Sequence, residues 1–66
     1  MNFIENIKHI RQIQLLSQES FAKELGVSFV TVNRWESGKT KPTYKTMQVL
    51  IDYCQKKGIV LEIDEI

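Results

Sequence analysis

Residues 18–37 read Gln18-Glu19-Ser20-Phe21-Ala22-Lys23-Glu24-Leu25-Gly26-Val27-Ser28-Phe29-Val30-Thr31-Val32-Asn33-Arg34-Trp35-Glu36-Ser37. The stretch predicts two short helices joined by a tight turn. Ser17, just before it, is a good N-cap for the first helix, and Gly26 takes the left-handed backbone that ends a helix cleanly. Ser28 caps the second helix. Val27 precedes that cap and Val32 lies four positions beyond it, the arrangement of a hydrophobic staple. Ala22 is small where the two helices must cross closely. Val32 fills the space between them, and Leu25 and Trp35 complete the contact. A small residue, a turn glycine and a buried aliphatic at these places meet the steric requirements of a compact helix–turn–helix over 18–37. An arbitrary helical hairpin meets all three only by coincidence.

Outward from this unit, the punctuation is regular. Phe3, Ile7 and Ile10 fall at helical spacing, with Ile4 and Ile13 beside them, so a helix is predicted over about Asn2–Gln14. Asn2 and Glu5 stand at capping-box spacing. Downstream, Gly38 stops the helix that began at Ser28. Pro42 precedes a further helix capped by Thr43, with Met47, Leu50, Ile51 and Cys54 as its apolar stripe. Lys56 and Lys57 lie in its last turn, where the helix dipole favours cations, and Gly58 closes it. Then the period changes. Ile59, Leu61 and Ile63 alternate with Val60, Glu62 and Asp64, which reads as a half-buried strand. A single strand on a helical monomer leaves an unpaired edge. The tail is therefore expected to pair antiparallel with that of a second copy, with Ile59, Leu61 and Ile63 in the dimer contact; a frayed terminus is the alternative. The expected fold is all-α: a bundle of four main helices over 1–58 and a short C-terminal β-strand over 59–66.

Composition narrows the function classes. A chain of 66 residues has room for one small domain, so no separate ligand-sensing domain is expected. Hydrophobic residues at 42% and charged residues at 26% are ordinary for a globular chain and argue against disorder. A single cysteine, Cys54, excludes an internal disulfide, and with one histidine, His9, it cannot build a four-ligand zinc site. His9 is expected at the surface and Cys54 as a small buried hydrophobe. No apolar run approaches a membrane span and no signal peptide opens the chain, so a soluble, cytoplasmic protein is expected. No nucleophile triad, phosphate loop or paired carboxylates stand out, so neither an enzyme nor a cofactor is expected. The net charge of +1 divides unevenly: residues 1–58 carry nine bases and five acids, whereas 59–66 carry only Glu62, Asp64 and Glu65. Within 28–45, Arg34, Lys39, Lys41 and Lys45 stand against Glu36 alone. A local basic segment of this kind fits a polyanion, and also an ordinary solvated face.

The run from Leu16 to Ser28, followed by Val32-Asn33-Arg34-Trp35-Glu36-Ser37-Gly38-Lys39-Thr40-Lys41-Pro42, resembles the lambda and 434 repressor/Cro type of helix-turn-helix protein, the Xre family. The match covers about Ile7 to Cys54. The resemblance implies a helical bundle that binds operator DNA as a dimer, with the helix from Phe29 in the major groove. It also implies a phosphate contact and a bracing role for Gln18, and an outward, leading face made of Ser28, Phe29, Val30, Thr31, Asn33 and Arg34. Arg11 and Glu36 match a structural ion pair tying the first helix to the end of the third. The segment from Gly38 to Lys45 matches a loop that holds the DNA backbone.

The residues support this independently. Arg34 can fork onto guanine O6 and N7, and Asn33 can pair with adenine N6 and N7. Thr31 can serve a phosphate or a base. Phe29 and Val30 are apolar where family members often carry polar readers. Either Val30 packs on the preceding helix, or the two contact thymine methyl groups. Lys39, Thr40, Lys41, Tyr44 and Lys45 are expected to clamp phosphates, together with Gln18, Ser28 and the amides that open the last helix. Trp35 is expected in the core. The expected function is a sequence-specific regulator, by preference a repressor, acting on double-stranded DNA as a homodimer. The alternative is an antitoxin-type module that binds a toxin or regulatory protein and uses DNA binding for autoregulation; the acidic, apolar tail supports it.

Overall fold

Residues 2–61 are described by a computed structural model. Four helices form where the caps place them: α1 (Phe3–Ile13), α2 (Gln18–Leu25), α3 (Phe29–Glu36) and α4 (Tyr44–Lys57). Every start carries the expected cap. The side chains of Asn2, Ser17, Ser28 and Thr43 accept from the backbone N–H of Glu5, Ser20, Thr31 and Thr46. Glu5 also accepts from the Asn2 backbone N–H at 3.4 Å, completing the capping box. Helices of eight residues such as α2 and α3 are too short to persist alone. A cap contributes about 1 kcal/mol to each, and tertiary packing supplies the rest.

The ends share one geometry. At the close of α2, the Gly26 N–H donates to Lys23 O at 3.2 Å and the Val27 N–H to Ala22 O at 3.0 Å. This paired closure needs a left-handed residue, and Gly26 has φ 75°. The α1 end makes the same two bonds, Leu15 to Gln12 O at 2.9 Å and Leu16 to Arg11 O at 3.2 Å. Its left-handed residue is not glycine but Leu15, at φ 58° and 93% exposed. After Leu15 and Gly26 the next residue turns inward, so Leu16 and Val27 pack against the core.

The same closure accounts for the first residues of the expected strand. Gly58 and Ile59 donate to Gln55 O and Cys54 O at 3.3 and 2.8 Å. Ile59 is thus the inward-turning residue of the α4 cap. It and Leu61 pack against the core of their own chain. No strand forms among the described residues, and Ile59–Leu61 carry no ladder. Ile63 and the remainder of the expected strand lie outside the described residues.

The core is built from Phe3, Ile7 and Ile10 of α1, Phe21, Ala22 and Leu25 of α2, Val32 and Trp35 of α3, and Leu50, Tyr53 and Cys54 of α4. Trp35 meets Phe3 edge-on with ring centroids 6.4 Å apart, and Phe21 meets Tyr53 at 5.8 Å. Ala22 and Val32 are buried at the α2–α3 crossing, as the motif requires. Tyr53 widens the α4 stripe beyond its aliphatic members, because its hydroxyl finds a partner: it donates to Gln14 Oε1 at 2.8 Å.

A left-handed backbone costs a β-carbon residue about 1–2 kcal/mol. Glycine is relieved of that cost but carries about 0.5–1 kcal/mol of extra chain entropy in the unfolded state. Leu15→Gly is therefore expected to raise stability by about 0.5–1 kcal/mol, and Gly26→Ala to lower it by about 1 kcal/mol. Urea unfolding of the two variants checks the opposite signs. A destabilised Leu15→Gly would contradict the strain assigned to this turn.

Candidate nucleic-acid interface

The helix α3 has two unlike sides. Val32, Trp35 and Glu36, at spacings of three and four, face inward and are buried. Phe29, Val30, Asn33 and Arg34 are exposed, and Thr31 is half-buried. Val30 is 51% exposed and Phe29 47%. The packing alternative for Val30 is thus not realised. Its side chain stands on the outer stripe with Arg34, four residues on.

What fixes that outer side in space is a chain of hydrogen bonds beneath it. Arg11 forks onto the Glu36 carboxylate: Nε donates to Oε2 at 2.7 Å and Nη2 to Oε1 at 3.0 Å. Its remaining arm, Nη1, donates to the Leu16 carbonyl at 3.0 Å. Gln18, the first residue of α2, donates from Nε2 to Glu36 Oε1 at 3.1 Å and accepts at Oε1 from Asn33 Nδ2, also at 3.1 Å. The expected ion pair is therefore present, and it continues through Gln18 to the exposed face of α3. The Glu36 side chain is 3% exposed and that of Arg11 17%. Burial pushes the Glu36 carboxyl up. The hydrogen bonds from Arg11 and Gln18 and the charges of Arg11 and Lys8 outweigh it, so the net shift is downward. The hydrogen bond to Glu36 in turn pushes the Arg11 guanidinium up.

This pairing changes the electrostatics of the segment. Glu36 is buried against Arg11, so the exposed charges over 28–45 are Arg34, Lys39, Lys41 and Lys45, all positive. Lys39, Thr40, Lys41, Tyr44 and Lys45 are all exposed, with Tyr44 at 77%. They flank the start of α4, where first-turn amides lack intrahelical acceptors. Ser28 is engaged locally: its hydroxyl caps α3 and shares a 2.8 Å bond with Thr31 Oγ1. His9 is exposed. Cys54 is buried, and burial pushes its thiol up, which makes it a small hydrophobe rather than a reactive group.

Two features went beyond the residue-by-residue reading. One is the partner in the bracing role that the resemblance implies for Gln18, the Asn33 amide. The other is the role of the Leu16 carbonyl, which the α1 closure exposes to Arg11. Among the described residues, no group of three His, Cys, Asp or Glu side chains could hold a metal ion. No described helix is long and apolar enough to cross a membrane.

Residues 7–60 match the sequence profile of the helix-turn-helix family. Over all 66 residues the chain is 33% identical to the HTH-type transcriptional activator BcrR of Enterococcus faecalis, covering 30% of that protein. Over 55 residues, 79% of the chain, it is 38% identical to the Type II methyltransferase M.SsoII of Shigella sonnei, covering 14% of that protein. The chain thus spans less than a third of the length of either relative. No solved structure matches it significantly.

The buried pair predicts an asymmetry. Arg11→Met strands a buried carboxylate and is expected to cost about 3–5 kcal/mol. Glu36→Gln leaves Arg11, which reaches water and keeps the Leu16 carbonyl, and should cost less. The pH dependence should also invert. In the parent chain the Glu36 carboxyl is lowered on folding, so its contribution is present above about pH 4.3, the unfolded carboxyl value, and is lost as pH falls through the folded one. In Arg11→Met burial dominates and raises that carboxyl, so stability rises as pH falls toward the same value. Thermal melts across pH 3–7 read both effects.

Proposed function

The chain belongs to the Xre-type helix-turn-helix family, and on that footing we propose that it is a transcription regulator that binds double-stranded DNA with α3 in the major groove. The observation that carries this reading is the division of α3. Its inner face locks into the bundle through Glu36, while its outer face is exposed, held at Asn33 by Gln18, and the exposed charges of residues 28–45 are all positive. In this reading Arg34 forks onto guanine, and Asn33 presents its free carbonyl edge to adenine while Gln18 steadies its amide. Thr31, Phe29 and Val30 meet neighbouring base edges. Lys39, Thr40, Lys41, Tyr44 and Lys45 hold phosphates, helped by the α4 amides, by Ser28 and by the second amide proton of Gln18.

A single unit of this size covers one half-site, and modules that bury so little surface bind weakly alone. The proposal therefore includes a homodimer on two half-sites about one helical turn apart. The dimer contact is not assigned to a strand, since Ile59 and Leu61 serve their own core. The outer face favours neither repression nor activation, and the Enterococcus relative is an activator by name. The relation to a methyltransferase is confined to the helix-turn-helix region of this chain and to 14% of that protein, so it supports a binding role.

Selection of bound duplexes from a random pool tests the reading, and a chain that enriches no sequence would refute it. Within the selected site, Arg34→Ala is expected to cost about 1–3 kcal/mol and to relax preference at one base position per half-site. Lys41→Ala should instead weaken all sequences alike and lower the salt slope by about 1 per subunit. An unchanged site preference in Arg34→Ala would show that this residue does not read bases.

A further inference from the structure

The first turn of α3 turns two large apolar side chains to solvent. Phe29 and Val30 are each about half exposed, and neither belongs to the apolar core. Helical spacing gives each a polar neighbour four residues on: Phe29 shares a stripe with Asn33, and Val30 with Arg34. Asn33 is already held by Gln18 at 3.1 Å. Arg34 is exposed on the last turn, and its guanidinium has no side-chain partner among the described residues. The exposed charges of residues 28–45 are all positive, which fits a polyanion and not an apolar protein face.

In the DNA major groove the polar edges differ from base to base, but the apolar feature is one group, the methyl at C5 of a pyrimidine. An apolar side chain and a guanidinium on one stripe match a methyl beside the O6 and N7 acceptors of guanine. The guanidinium is planar and weakly hydrated, so its face tolerates a methyl neighbour.

Resting on the DNA reading above, we infer that α3 is a C5-methyl reader. Arg34 grips a guanine, Val30 closes over the C5-methyl of the adjoining pyrimidine, and Phe29 covers a second methyl. The recognised group is the methyl and not the base that carries it. Thymine and 5-methylcytosine are therefore equivalent at the Val30 position, whereas uracil and cytosine both lack the contact. Methylation of cytosine would strengthen binding about fourfold at a sequence that otherwise lacks the contact.

The test uses the full chain and its best selected duplex. Each thymine is replaced in turn by deoxyuridine, which removes the methyl and leaves the pairing edge intact. Parent binding is expected to weaken about fourfold for each contacted methyl removed, the loss of one buried methyl group. One such position adjoins the guanine whose preference disappears in Arg34→Ala. At that position 5-methylcytosine restores binding and cytosine does not. Val30→Ala, at an exposed site that leaves the bundle folded, binds the thymine and uracil forms alike there. Phe29→Ala does the same at the second position. Parent binding that is indifferent to uracil everywhere, or a uracil penalty that persists in Val30→Ala, overturns the inference and leaves the DNA reading standing. A chain that enriches no duplex overturns both.

Discussion

A buried carboxylate stays charged only where protein groups replace its water. Glu36 meets that condition with a two-pronged guanidinium from α1 and an amide from α2. The net energy of such a pair relative to apolar packing is small, and its larger effect is on geometry. Val32 and Trp35 bury the inner face of α3, yet apolar contact alone tolerates small slides and rotations along a helix. The forked bond does not. It sets the axial position of α3 against α1, and Gln18 carries the same constraint to Asn33 on the outer side. A recognition surface on a helix of eight residues depends on that constraint, because the helix has no rigidity of its own.

Much of this architecture was legible in the residues. Helix starts depend on side-chain oxygens that only a few residue types supply, and the four caps fell at Asn2, Ser17, Ser28 and Thr43. Three of the four ends are marked by glycine. The fourth, at Leu15, carries no such signal, since leucine gives no hint of a left-handed turn. The partnership of Arg11 with Glu36 was accessible through resemblance, whereas its extension to Asn33 depends on side-chain rotamers that no spacing rule encodes.

The start of the tail shows how one pattern can have two physical sources. Alternation at Ile59 and Leu61 arises from a pleated strand or from a helix closure that sends its next residue inward. Both produce apolar residues two apart. The short helix-closing geometry prevails because Ile59 finds its acceptor at Cys54 and its apolar contacts within the same chain, while a strand requires a second one. Tyr53 was missed for a related reason. A stripe counted on aliphatic residues omits an aromatic whose one polar atom is satisfied at Gln14.

The burial of Trp35 has an optical consequence. It is the only tryptophan in the chain, 2% exposed, and it sits between Arg34 and Glu36 on the side of α3 turned away from solvent. Its emission therefore reports how α3 is seated on Phe3 and α1. Ligands on the outer surface leave that environment untouched. Any event that lifts the helix from the bundle lets water reach the indole and shifts its spectrum to the red. The recognition element thus carries an intrinsic fluorophore that separates loss of contact outside from loss of support beneath.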